Sequence, residues 1–297
     1  MKKAFTLIEL ILVIVILAIV AGMTLNLVFV IYKNYVQSES ISRVGSQADI
    51  ILDQISKRLE YRIRSSDIAR NSSDNSILNL NDSGLNSSYN ILEFIPYSYE
   101  AFDLGVYSGI VDMDNSNTTN GSIETPGSNL DTSLFDQISP RNKNKELAMI
   151  FRGVNYNVDS SFGYTGANVD FAKVKFKDLT HFNNDISFVG KQMSEQYYLA
   201  HTAYAIVVTK NDTSAVSESA SNRDFDLVLY YDYRPWLGQQ YNQGSSTVLA
   251  RHVSMFKFKE ENGMVFLKLC LRDNQKQRSS LSKSGFDFNV CRTKAVF

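Results

Sequence analysis

The chain is poor in the residues that most often carry chemistry or break structure. It has two cysteines, three histidines, four prolines and one tryptophan in 297 residues. Its 30 basic and 31 acidic residues leave a formal charge of −1. No global basic field exists, so binding of nucleic acid by bulk electrostatics is not indicated. His181, His201 and His252 lie far apart, and none has a His, Cys or carboxylate at a known ligand spacing. Gly-x-Ser-x-Gly elbows and phosphate-cradling glycine loops are absent from the sequence. An enzyme is therefore not expected, nor a cofactor or bound metal. No proline precedes Pro96, so nothing forces a break in the first part of the chain.

What the chain does have begins at its first residue. Lys2 and Lys3 stand before Ala4-Phe5-Thr6-Leu7-Ile8-Glu9-Leu10, and an uncharged apolar run then extends from Ile11 to Ile31. About 20 apolar residues suffice to cross a hydrocarbon core of roughly 30 Å. The lysines favour a cytoplasmic N-terminus, with everything after Ile31 outside. An ordinary secretory signal has a shorter apolar core, followed and not preceded by its small residue. A plain signal anchor accounts for the lysines and the apolar run, but not for Glu9. A carboxylate at the centre of such a span costs about 2.5–3.5 kcal/mol, less near an end, and is by default functional. Its natural partner is a positive charge from another subunit.

The segment Lys3-Ala4-Phe5-Thr6-Leu7-Ile8-Glu9 resembles the processing site of the type IV pilin and type II secretion pseudopilin superfamily. Ala4 replaces the usual glycine but keeps the small side chain that a peptidase pocket needs. The resemblance implies cleavage between Ala4 and Phe5 by a membrane-embedded prepilin peptidase, with methylation of the new Phe5 amine. It also implies that Glu9 pairs with the N-terminal amine of a neighbouring subunit during assembly. Expected partners are other pilin or pseudopilin subunits, the peptidase, an inner-membrane assembly platform and, before assembly, membrane lipid.

A stripe of Ile41, Val44, Ala48, Ile51, Ile55, Leu59 and Ile63 extends the helical pattern beyond the apolar run. Asp53 and Lys57, four residues apart, sit on its polar face. One helix is predicted from about Phe5 to about Arg64, apolar all round in its first half and amphipathic in its second. Gly22, Thr24 and Asn26 mark a packing contact or a looser turn near the membrane exit. The expected division is a leader (1–4), a transmembrane half-helix (5–31), an amphipathic half (32–64) and an extracytoplasmic β domain with Asn/Ser-rich loops (65–297). The fold class is α+β, a long helix packed on an antiparallel sheet.

Three stretches rich in Asn and Ser (71–89, 112–127 and 214–222) read as loops. Strand patterns fall at 91–95, 147–151, 169–176, 197–209, 225–233, 256–259, 265–271 and 286–291. Asn262-Gly263 signals a hairpin. These strands suggest a meander with one face under the helix and the other largely wet. Asp112-Met113-Asp114-Asn115-Ser116-Asn117 offers hard oxygens, but lacks the glycine and twelfth-position carboxylate of an EF-hand, so a solvated turn is expected. Tyr230, Tyr231, Tyr233 and Trp236 are expected to fill core and edge in preference to forming a binding patch.

The segments Leu227–Tyr233 and Val248–Phe256 look like those of large J-type pseudopilins and PilW-like minor pilins. The mass of 33.5 kDa exceeds what a repeating major subunit usually needs. The expected function is a minor, tip-proximal subunit of a type IV pilus, a type II secretion pseudopilus or a DNA-uptake pseudopilus. The alternative is a membrane-anchored binding protein for DNA or a surface that uses a pilin-type leader. Cys270 and Cys291 fall on neighbouring predicted strands in an oxidising compartment, which predicts a disulfide. Two reduced, buried cysteines are the other possibility, but alternation puts Cys270 with Phe266 and Lys268, away from the leucine face.

Overall fold

A long apolar run with no helix breaker, followed by a stripe at three- and four-residue steps, folds as one element. In the computed structural model, which describes residues 7–166, 169–210, 225–273 and 289–297, α1 (Leu7–Glu60) is unbroken for 54 residues. That is about 80 Å at 1.5 Å per residue. The helix passes through Gly22, Thr24 and Asn26 without interruption. It stops at Glu60, short of Arg64, because the chain turns to pair with the segment around Pro96. Tyr97 N–H donates to Tyr61 O (3.0 Å) and Ile63 N–H donates to Ile95 O (2.9 Å). Ile63 therefore lies beyond the helix, and Ile41 is 41% exposed, so the buried stripe starts at Ser40 and Val44.

Fourteen strands follow among the described residues: β1 (Ile68–Asn71), β2 (Ile77–Asn79), β3 (Tyr89–Phe94), β4 (Asp112–Asn117), β5 (Ser122–Glu124), β6 (Leu147–Phe151), β7 (Ala172–Phe176), β8 (His181–Asn184), β9 (Tyr197–Ala200), β10 (Ala203–Lys210), β11 (Phe225–Tyr233), β12 (Ser245–Glu261), β13 (Met264–Arg272) and β14 (Asn289–Val296). Short helices α2 (Tyr99–Asp103), α3 (Thr132–Ile138) and α4 (Val158–Ser161) lie between them. All the pairings are antiparallel. The fold is thus α+β, a long helix on an antiparallel body. The body holds two sheets, in the orders β14-β13-β12-β11-β10-β3-β1-β2 and β4-β5-β8-β7-β6-β9.

Several strands depart from expectation. The run 197–209 divides into β9 and β10, which belong to different sheets, with His201 and Thr202 buried where the chain crosses. The Asn/Ser-rich stretches 71–89 and 112–127 contain β2, β4 and β5, because tertiary pairing overrides weak strand propensity. Loop 214–222 and residues 286–288 of the expected last strand lie outside the described residues. The meander itself is present in β10 to β14. Its Asn262-Gly263 turn has both residues left-handed (φ 54° and 76°), as a two-residue type I′ hairpin requires.

The expectation of a largely wet outer face holds only at one end of the large sheet. One core lies between α1 and that sheet, formed by Val44, Ala48, Leu52, Ile55 and Leu59 against Leu92, Ile206, Leu229, Phe256, Leu267 and Leu269. On the opposite face Ile91, Ala205, Val207 and Tyr233 meet Ala148, Ile150, Phe162, Phe171 and Trp236. Strands β12, β13 and β14 keep a solvated face, with Lys257, Lys259, Lys268 and Thr293 exposed. Buried ion pairs stitch the junctions. Arg62, just past α1, donates to Asp67 (2.6 Å), to Leu59 O (3.0 Å) and to Phe297 O (2.8 Å). Arg70 donates to Glu93 (2.5 Å), which also accepts from the Tyr233 hydroxyl (3.3 Å). Asp232 accepts from Arg234 (2.9 Å) and from Ser139 (2.7 Å), and so pins the segment after α3 to the end of β11.

His201 shares a 2.7 Å hydrogen bond with the Ser98 hydroxyl, and burial pushes its pKa down to about 4 from 6.5, with Asp232 opposing the shift. The unfolded chain takes up a proton on this imidazole below pH 6.5, whereas the native chain resists until about pH 4. Stability contributed by neutral His201 is complete above 6.5 and falls by about 3 kcal/mol on acidification to 4. His201→Gln is expected to flatten that fall. Urea midpoints of both proteins at neutral pH and near pH 4.5 check it, and equal slopes would contradict the assignment.

Candidate functional site: the free half of the long helix

From Leu7 to Tyr35 every residue of α1 is exposed on the isolated chain. Leucine, isoleucine, valine, methionine and phenylalanine cover all sides of it, with Leu7, Ile8, Met23 and Leu25 at least 70% exposed. This is the one described helix long and apolar enough to cross a membrane. Backbone polarity inside it is met by the helix itself. The Thr24 hydroxyl donates to Val20 O and Ala21 O, both at 3.0 Å, so this side chain adds little cost in lipid. A Cβ added at Gly22 would meet nothing within 4 Å, so the glycine leaves room at the surface for a close neighbour. Glu9 lies in the first turn of the described helix, where the helix dipole favours negative charge. Ala4 and Phe5 lie outside the described residues.

The second half is fixed to the body. Gly45 faces β14, and a Cβ on it would sit 2.8 Å from an Arg292 guanidinium nitrogen and 3.7 Å from the Val290 side chain. Ion pairs run along the same seam, Arg43 with Asp273 (3.1 Å), Asp49 with Arg292 (3.3 Å), and Asp53 with Lys294. Asp53 thus pairs with a strand residue and not with Lys57, because the sheet brings Lys294 nearer than the next helical turn. Sequence reasoning missed Gly45, Arg62 and these strand partners, since only the fold makes them neighbours.

Cys270 and Cys291 face each other in the β13–β14 register and are bonded, with Cα atoms 4.0 Å apart. Cys270 lies on the face away from α1, as alternation implied, yet is buried because Met255 and Cys291 flank it. The other candidates disperse. His181 contacts Asp178 (2.9 Å), and His252 sits at a left-handed bulge (φ 58°) in β12. Asp112 accepts from the backbone N–H groups of Asp114 and Asn115, each at 3.0 Å, an Asx turn inside β4. Tyr233 and Trp236 are core residues, while Tyr231 is 37% exposed.

Residues 1–25 match the prokaryotic N-terminal methylation motif family. The chain carries a prepilin-type N-terminus. That motif supports a type IV pilin-like, structural subunit, and it implies processing by a prepilin peptidase and association with other pilins. The prepilin-type segment and the apolar half of α1 fit a membrane-anchored pilin. No curated protein and no solved structure shows significant similarity to the chain.

The disulfide closes a loop across a sequence separation of 21, which corresponds to about 3 kcal/mol of stabilisation. Replacing both cysteines by serine is expected to lower the unfolding free energy by about 2–4 kcal/mol. Reductant should reproduce the loss, and unchanged thermal melts of the full chain with and without reductant would refute it.

Proposed function

We infer that this chain is a minor pilin or pseudopilin, built into a filament through the free half of α1 and placed near its tip. The observation that carries this reading is the contrast within one helix. Its second half is buried on the sheet, while its first half, apolar all round, has no cover from the described part of its own chain. Lipid before assembly and the helices of other subunits afterwards are the two environments in which such a surface is stable.

In this reading the peptidase cuts between Ala4 and Phe5 and methylates the Phe5 amine. Residues 5–31 cross the cytoplasmic membrane with the N-terminus inside, and residues 32–64 join them to an extracytoplasmic body, 65–297, in the periplasm or outside the cell. Glu9 meets the N-terminal amine of the neighbouring subunit, so that two charges otherwise costly in an apolar setting neutralise each other. The size of the two-sheet body favours a place at the tip, where only one neighbouring layer limits its width.

The N-terminal peptide is expected, by mass spectrometry, to begin at N-methylated Phe5. An intact Met1, or cleavage after Ala18 or Ala21, would remove the assignment. Glu9→Gln keeps the shape and removes the charge. Membrane insertion should persist while recovery of co-purifying pilin subunits falls, and unchanged recovery would refute the pairing.

A further inference from the structure

An open cleft of about 320 Å³ lies beside the end of α1, at the opposite end of the helix from its free half. Its wall is aromatic. Tyr97, Tyr107, Tyr197 and Tyr198 line it, with Tyr97 stacked on Tyr198 (centroids 5.3 Å apart), and Tyr61, the residue after α1, meets Tyr97 edge-on from behind the wall (5.8 Å). Phe102, from α2, is 48% exposed and also lines the cleft. Gly109 on its rim is left-handed (φ 74°), a conformation that favours glycine, and a Cβ there would reach van der Waals contact with Phe102 and the Tyr197 carbonyl at 3.4 Å.

Polar groups stand among these rings. The Arg152 guanidinium lies 5.4 Å from the Tyr198 ring centroid and donates to Gln196 Oε1 (3.0 Å). Arg152 and Gln196 are both exposed, so they have hydrogen-bonding capacity to offer a ligand. A purely apolar ligand would desolvate them without replacement bonds. A polyanion is disfavoured, because Arg152 is the one cation lining the cleft, while Glu100 and Asp103 on α2 and Glu195 beside Gln196 carry the opposite sign. Stacking platforms for nucleic acid pair their rings with a positive groove, and this cleft has none.

The remaining chemistry is that of a molecule with a flat C–H face and a rim of hydroxyls. Ring faces carry partial negative charge and attract the polarised C–H groups of a pyranose, while planar guanidinium and amide groups bond neighbouring hydroxyls. The volume is at the small end of ligand sites, enough for a short stretch of a glycan. We propose that this cleft binds a neutral saccharide, held against Tyr97, Phe102 and Tyr198 and hydrogen-bonded by Arg152 and Gln196. The site would give the membrane-distal end of the subunit a carbohydrate-recognising surface, independent of how the helix assembles.

The test uses the full-length protein in a detergent without a sugar headgroup. Saturation-transfer NMR and calorimetry are run with chitotetraose, cellotetraose, maltotetraose and mannotriose at millimolar concentration, and with single-stranded oligothymidylate as the polyanionic control. At least one saccharide is expected to bind. Phe102→Ala and Arg152→Ala should each weaken it about tenfold or more, and Phe102→Tyr should retain it, with thermal melts unchanged. Failure of all four sugars to bind, binding indifferent to both alanine variants, or tighter binding of the oligothymidylate through the same residues would overturn the proposal.

Discussion

The contact between α1 and strands β12–β14, from Ser40 to Leu59, is the one on which the rest of the molecule depends. It sets where the free half of the helix emerges and anchors the most solvated end of the large sheet. Its strength is apolar, with Val44, Leu52, Ile55 and Leu59 buried against Phe256, Leu267 and Leu269. Each such side chain contributes about 2 kcal/mol when fully removed from water. Gly45 and Ala48 present little side chain to the sheet at this seam, and Ala48 is fully buried there. The flanking ion pairs are partly exposed and individually weak, so their part is to select a rotation of the helix on the sheet more than to hold it there.

Where the helix ends, polar groups take over. Arg62 joins the last helical turn, the start of β1 and the final residue in one buried cluster. Burial raises the Asp67 carboxyl above the ordinary carboxylate range, and Arg62 draws it back. Arg70–Glu93 does comparable work between the neighbouring strands β1 and β3, and Asp232–Arg234 between the end of β11 and the segment after α3. Buried pairs of this kind add little net stability, but an unpaired member is very costly. They therefore penalise any other seating of the helix tail or of the second sheet. The position of the aromatic cleft follows from the same cluster, since Tyr61 and Tyr97 are brought together by the turn that ends α1.

The functional division of the protein follows from the same arrangement. One end of α1 is apolar and uncovered, and suits lipid or other helices. The other end carries the folded body and the cleft. The prepilin-type motif lies at the first end, and the proposed saccharide site at the second. About 80 Å of helix separates them.

By itself the sequence determined the prepilin-type N-terminus, the long helix with its change of character, the β13 hairpin and the disulfide pair. All of these rest on local order, namely a motif, a hydrophobic period, an Asn-Gly turn, and two cysteines on strands that alternation could place. Tertiary structure alone decided that the body has two sheets, that 197–209 crosses between them at His201, and that β2, β4 and β5 form in segments rich in Asn and Ser. It alone paired Asp53 with Lys294, buried Arg62, and gathered Tyr97, Phe102, Arg152 and Tyr198 around one cleft. Those features join residues dozens to hundreds of positions apart. No local propensity encodes such pairings, because they form only when burial of the apolar faces brings distant strands into register.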